Sequence, residues 1–161
     1  MDKGIERARA RAIESGHITD MQVIRDRVFR RDLPFSERVV LTALVKGDEN
    51  TRGKILRELE SEQFGLAFFD LVFEWITSSL RSKGTIYVPD LYHQMENFVR
   101  SQWDAERSGH SVEEVLPGFT AIIDHVLAIE PPDAETIDKA ISLIHESYVW
   151  RKVHTKRGHS T

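Results

Sequence analysis

The stretch FGLAFFDLVFEWITSSL, residues 64–80, is the most apolar part of this 161-residue chain. At helical spacing one face carries six apolar side chains: Phe64, Phe68, Leu71, Val72, Trp75 and Ile76. The remaining surface is covered largely by Leu66, Phe69 and Phe73. A helix that is apolar most of the way round is either central to the core or shared between the core and a partner protein. The pattern by itself leaves both alternatives open.

Helical periodicity continues on both sides of this stretch. Before it, Met21, Ile24 and Val28 recur at helical spacing, and Ser36 can cap a helix that ends at Gly47. After it, two long amphipathic helices are joined by PPDAE at 131–135, which predicts an antiparallel helical hairpin over about 118–152. The inward-facing residues of this hairpin are Ile122, Val126, Ile129, Ile137, Ile141, Ile144 and Tyr148. The sequence therefore predicts an all-α fold, a small helical bundle followed by a long antiparallel hairpin.

Composition excludes several classes of protein. The chain has no cysteine, which rules out disulfides, thiolate metal sites and cysteine nucleophiles. No apolar run approaches the roughly 20 residues of a membrane span, and the N-terminus lacks the apolar region of a secretory signal. The expected location is therefore the cytoplasm.

Charge is unevenly distributed along the chain. Residues 1–31 carry eight Lys/Arg against five acids, residues 151–161 carry four against none, and the body between them is acidic. Clustered cations are what phosphate contacts require. The candidate nucleic-acid contacts are Arg7, Arg9, Arg11, Arg25 and Arg27. Solvated termini explain the same pattern equally well.

The segment GDENTRGKI, residues 47–55, resembles two ligand loops without completing either. A P-loop needs a hydroxyl residue after Gly53-Lys54, but Ile55 stands there, and Asp48 occupies the place of the earlier glycine. An EF-hand needs a bidentate carboxylate at the position of Leu59, and Arg52 places a cation among the expected ligands. The segment is therefore predicted to be a polar turn between two helices.

No pattern of catalytic or metal-binding residues emerges from the sequence. The histidines are scattered, and neither an H-E-x-x-H motif nor a G-x-S-x-G elbow occurs. We therefore expect no cofactor, no metal and no enzyme activity. A deep pocket around Asp90, Tyr92 and His93 would revive an enzyme on an unfamiliar helical scaffold.

From Phe35 onward, the ordered succession of residues resembles the N-terminal domain of replicative hexameric helicases of the DnaB type. LPFSERVVLTALV supplies a proline, an acid three residues before Val40-Leu41, and a closing apolar pair. VFEWI at 72–76 and LIHESYVWRK at 143–152 match the family's central and final helices. The resemblance covers roughly 33–153. Thr42 stands where the family often has glycine, residues 98–116 look like an insertion, and the family's ATPase domain has no counterpart here.

The resemblance implies a non-catalytic protein–protein interaction module of DNA replication. In the family this domain pairs through its helical hairpin and docks primase or a helicase loader, and the helicase-binding domain of primase has a related architecture. The implied partners are thus a second copy of the chain and primase, helicase or loader. The implied interface comprises the seven inward-facing residues of the hairpin. The chain would then consist of three parts: a basic extension at 1–31, the helical domain at 32–153 and a basic tail at 154–161. The alternative is a small DNA-binding or regulatory protein that uses its Arg-rich N-terminus.

Overall fold

The computed structural model describes residues 3–14, 35–65, 68–128 and 130–159, and within them every regular element is helical. The all-α prediction is therefore confirmed. The elements are α1 (Lys3–Glu14), α2 (Phe35–Lys46), α3 (Glu49–Glu58), a 3₁₀ turn (Ser61–Gln63), α4 (Phe69–Lys83), α5 (Val88–Gln102), the short α6 (Ala105–Ser108), α7 (Val112–Leu127) and α8 (Ala134–His159). The helix expected around Met21, Ile24 and Val28 lies outside the described residues.

The centre of the bundle is α2, although α4 is the more apolar segment. Six consecutive residues of α2, from Val39 to Leu44, are fully buried. A helix can bury its whole circumference only when neighbours surround it, and α2 packs against α8, α7, α3 and α4. Val40, Leu41, Ala43 and Leu44 have the spacing of a single apolar stripe. In the structure, however, the middle of α2 is buried on every side.

Helix α4 belongs to the core of the chain, the first of the two alternatives left open by its composition. Every residue from Phe69 to Thr77 is buried, against α1, α2, α5 and the 3₁₀ turn. The helix begins at Phe69 rather than Phe64, because the backbone turns sharply at Phe68, whose φ is 77°. A positive φ is uncommon for a bulky residue. The Phe68 ring is held by those of Phe98 and Phe119, at centroid distances of 6.3 and 5.4 Å.

Helices α7 and α8 follow each other in sequence but hardly touch, so the expected hairpin over 118–152 differs from the structure. Both helices pack instead on α2, which shares its largest interface with α8. The physical reason is that the middle of α2, from Val39 to Leu44, is buried on every side and therefore requires neighbours on more than one face. The two helices also extend beyond the expected hairpin, from Val112 and to His159.

Three side chains of α2 cap the C-terminal end of α7. Arg38 donates to the carbonyl of His125 at 3.2 Å, Thr42 to that of Val126 at 2.5 Å, and Lys46 to that of Leu127 at 2.5 Å. The donors recur every four residues, so they lie on one face of α2. The last carbonyls of a helix have no partner within it, and cations are favourable there. This contact explains Thr42, the residue that departs from the family pattern.

Replacing Thr42 with valine is expected to lower the free energy of unfolding by about 1–3 kcal/mol, because the buried Val126 carbonyl loses its donor while volume is conserved. Thr120→Val is the matched control, since the Thr120 hydroxyl donates only within its own helix, at 3.2–3.3 Å. The control should change the unfolding free energy by less than about 0.5 kcal/mol. Urea denaturation of both variants measures the difference, and equal effects would remove the capping role of Thr42.

Residues 98–116, which look like an insertion, are integrated into the fold. Helix α5 runs on to Gln102, and the indole N–H of Trp103 donates to the His110 carbonyl at 2.8 Å. The Trp103 ring also packs on Phe119, with centroids 6.1 Å apart. The polar appearance of this segment reflects its outer face, while Phe98, Val99 and Val115 are buried.

Candidate protein-interaction surface

Most of the residues expected to form the dimer interface lie in the core of the chain itself. Their exposed fractions are 2% for Ile122, 0% for Val126, 3% for Ile137, 6% for Ile141 and 2% for Ile144. They are therefore not available to a partner in this fold, because they cover α2 and its neighbours. Tyr148 is half-buried with the Lys152 ammonium 5.1 Å from its ring centroid. Ile129 lies outside the described residues.

The opposite face of α8 carries apolar side chains that point to solvent. The exposed fractions are 52% for Leu143, 58% for Val149, 59% for Trp150 and 43% for Val153. We call these four residues the outer face of α8. Sequence reasoning missed it because it assigned the apolar residues of this helix to one inward stripe. The detectable signal was an excess of apolar residues, Leu143, Trp150 and Val153, out of phase with the inward isoleucines.

The outer face is presented by a helix that is fixed to the body at several points. His145 Nε2 lies 2.7 Å from the carbonyl oxygen of Glu58 at the end of α3, and Arg151 donates to the carbonyl of Gln63 at 2.7 Å. Further toward the start of α8, Lys54 forms an ion pair with Asp138. On the outer face itself, the imidazole of His154 stacks on the Trp150 ring at a centroid distance of 3.7 Å. Trp150 is thus held in an ordered, outward position.

Glu37 and Arg151, both part of the family resemblance, meet at Gly65. The Glu37 carboxylate is buried and accepts from the Gly65 N–H at 3.2 Å. A Cβ at position 65 would overlap the Arg151 guanidinium, so a larger residue there would displace that side chain. This contact fixes the second half of α8 beside the 3₁₀ turn.

The turn predicted within 47–55 consists of Gly47 and Asp48, and the rest of the segment belongs to α3. Asp48 is the N-cap of α3 and accepts from the Thr51 N–H at 2.8 Å, a bond that lowers the pKa of its carboxyl. Arg52 donates to the carbonyls of Leu44 and Val45 at the end of α2, at 2.8 and 3.0 Å. The carboxylate and the cation are therefore engaged in joining the two helices.

The three residues named as a potential enzyme pocket have separate environments. Asp90 forms an ion pair with Lys83 at 3.6 Å, and His93 is exposed. Tyr92 donates its hydroxyl to Asp124 at 2.5 Å, and burial together with this bond raises the pKa of Tyr92 to about 12. Its phenol therefore stays protonated and links α5 to α7. Nothing in this geometry brings the three groups to one reacting atom.

The arginines of the N-terminal segment are only partly described. Arg7 and Arg9 are exposed on α1, and the Arg9 guanidinium carbon lies 5.5 Å from the centroid of the Phe98 ring. The side chain of Arg11 and the whole of Arg25 and Arg27 lie outside the described part of the chain. Helix α1 itself docks on α4 through Ala8, which is 1% exposed. Three of the five expected nucleic-acid contacts, Arg7, Arg9 and Arg11, are thus on a docked helix.

Metal-binding clusters and membrane-spanning helices are both absent from the described ranges. These residues contain no group of three or more His, Cys, Asp or Glu side chains that could hold a metal ion. Among the same residues, no helix combines the length and the apolar character that crossing a membrane requires.

No protein-family model, no curated protein and no solved structure matches this chain. We therefore infer the function from the exposed apolar residues of the outer face of α8.

Proposed function

We propose that this chain is a non-catalytic protein–protein interaction module that docks through the outer face of α8. The observation that carries the proposal is the exposure of Leu143, Val149, Trp150 and Val153 on one side of a single helix. Contiguous exposed apolar side chains mark interaction surfaces, and tryptophan is among the residues that contribute most to binding. An ordered Trp150 loses little conformational entropy when it is covered.

The length of α8 supports the same function. Its 26 residues span about 39 Å. The buried residues Ile137, Ala140, Ile141 and Ile144 all lie in the first half of the helix. Beyond them, the core requires few apolar side chains, yet three of the four outer-face residues are there. Apolar residues that the core does not use are best explained by a partner.

A second copy of the chain is the first partner proposed, through an antiparallel pairing of two α8 helices. With the two-fold axis near Glu146 and Ser147, Leu143 of one copy lies opposite Trp150 of the other, and each contact occurs twice. The pairing also sets unlike charges together. The start of α8 and its approach carry Glu130, Asp133, Glu135 and Asp138, and the end carries Arg151, Lys152, Lys156 and Arg157.

Some of these carboxylates already have partners within the chain. Asp138 pairs with Lys54, and Glu135 pairs with Lys139 at 3.3 Å. Both pairs are exposed, and exposed ion pairs contribute little. Their carboxylates can therefore be shared with the basic end of a second helix. The charges set the direction of pairing, and the apolar side chains supply most of the affinity.

The place of the module in DNA replication rests on the resemblance to the N-terminal domain of replicative helicases. Supporting it are the order of the matched segments and the position of Glu37 and Arg151, which meet at Gly65. By this proposal the heterologous partner is primase, a replicative helicase or a helicase loader. Two copies paired through the outer face of α8 would offer that partner two equivalent surfaces elsewhere on the bundle, so loss of the pairing with Trp150→Glu would also weaken its capture.

Affinity capture from a replicating cell extract, with the chain immobilised, tests the proposal. We expect helicase, primase or loader to be retained by the wild-type chain and lost with Trp150→Glu. Tyr87→Glu is the matched control, because Tyr87 is an exposed aromatic, at 62%, outside α8. Retention of none of these proteins would contradict the replication role. Equal retention by wild type and Trp150→Glu would contradict the role of the outer face.

A further inference from the structure

A concave surface lies between α1, α4 and α5. It has a volume of ≈ 430 Å³. Ile5, Trp75 and Phe98 form its apolar part, and Arg9, Gln94 and Asn97 form its polar part. Helix α8 packs on α2, α3 and the 3₁₀ turn. This groove is therefore separate from the outer face of α8, and docking through α8 does not explain it.

The charge of the groove favours an anionic ligand group. Among the described residues that line it, Arg9 is the charged one. Its guanidinium rests on the Phe98 ring at 5.5 Å from the centroid. Stacking on an aromatic ring orders an arginine, whose planar fork then suits the two oxygens of a carboxylate. The carboxylate of Glu74, a buried acid on α4, lies at Gly4, about 7.5 Å from Arg9 along the α1 axis.

The carboxamide of Gln94 is a second polar group of the groove that a ligand could bind. Its Oε1 is buried without a hydrogen-bond partner. A buried acceptor without a donor costs free energy, and such groups in native proteins call for an explanation. Because Gln94 lines the groove, a ligand that carries a backbone N–H could supply the missing donor. Asn97, one turn further along α5, lines the same wall and offers a second amide.

We propose that this groove docks a short acidic peptide segment of a partner protein. The carboxylate of the peptide binds the Arg9 guanidinium, an adjacent apolar side chain packs against the half-buried Ile5, and a backbone N–H donates to Gln94. The volume is at the lower end of the roughly 300–1,000 Å³ typical of ligand sites, which suits a few residues rather than a whole helix. The module would then hold a partner at two separate surfaces, which raises the overall affinity without further contacts.

The probe is the acetylated and amidated tetrapeptide Ala-Leu-Asp-Leu, titrated into the full chain and followed by NMR. We expect saturable shifts confined to groove signals, including the Trp75 indole, and binding weaker by about tenfold or more for Arg9→Ala. Arg7→Ala is the matched control on the same helix, because Arg7 is exposed and does not line the groove. It should bind as the wild type does.

One further variant and one further peptide separate a specific contact of Arg9 from a general loosening of α1. Arg9→Lys retains the charge but not the planar fork and should show an intermediate loss, even if Arg9→Ala loosens α1. The peptide Ala-Leu-Asn-Leu should bind at least about tenfold more weakly than its aspartate counterpart. Equal binding of the two peptides, an equal loss with Arg7→Ala, or groove shifts only with a single-stranded oligonucleotide would each overturn the proposal.

Discussion

Trp150→Glu is expected to convert the paired chain into a monomer at any attainable concentration. Burying a tryptophan at the centre of an interface contributes about 2 kcal/mol or more. The two-fold axis repeats the contact, so the substitution costs about 4 kcal/mol, or about a thousandfold in the dissociation constant. The introduced carboxylate would also face the apolar Leu143 of the partner copy. Because Trp150 is 59% exposed in the single chain, its fold should be unaffected.

Size-exclusion chromatography with light scattering over a micromolar concentration series measures this effect. The wild-type mass should rise toward twice that of the chain, and the Tyr87→Glu control should follow the wild-type curve. Circular dichroism should show the same helix content in all three proteins. A wild-type chain that stays monomeric at high micromolar concentration would contradict the pairing of α8, while capture of helicase, primase or loader by that monomer would leave the docking function in place.

Phe119→Ala is expected to lower the free energy of unfolding by about 3–5 kcal/mol, a larger loss than that expected for Thr42→Val. Phe119 is fully buried and its ring contacts those of Phe68 and Trp103. The cavity would also release Phe68, which holds a positive φ only while its ring is packed. Since small domains are stable by about 5–15 kcal/mol, the variant should be close to unfolding.

Chemical denaturation compared with Tyr87→Ala checks this prediction. The control removes an aromatic ring that is 62% exposed and should change the unfolding free energy by about 0.5 kcal/mol or less. A loss below about 1.5 kcal/mol for Phe119→Ala would mean that the site collapses around the smaller residue. It would also mean that residues 98–116 contribute less to the free energy of unfolding than the contacts of Trp103 indicate.

The sequence predicted the helices well wherever periodicity and caps are local properties. The turn at 47–55 follows from Asp48 and Gly47, and the helical character of 69–83 follows from its spacing of apolar residues. Local pattern could not predict the sharp turn at Phe68, because that conformation is maintained by the rings of Phe98 and Phe119, which are distant in sequence. Nor could it place Arg38, Thr42 and Lys46 on the end of α7, some eighty residues away.

Most residues expected to form the interface are buried within the chain, and exposed apolar residues lie on the opposite face of α8. Isoleucines at 137, 141 and 144 have the regular spacing of any buried stripe, and sequence alone does not say whether the core or a partner buries it. The tertiary structure decides this, because α8 packs mainly on α2 and α7 packs on α5 and α2, so that both inward faces are buried within the chain. Leu143, Val149, Trp150 and Val153 are left outside.

The sequence by itself determined that this protein is a bundle of helices without cysteine chemistry, since composition and the 3.6-residue period are properties of the chain alone. Only the tertiary structure decided which apolar residues belong to the core and which remain exposed. The physical reason is that burial depends on what surrounds a helix, and here α2, whose middle turns are buried on every side, takes up the inward face of α8 and leaves the outer face of α8 uncovered.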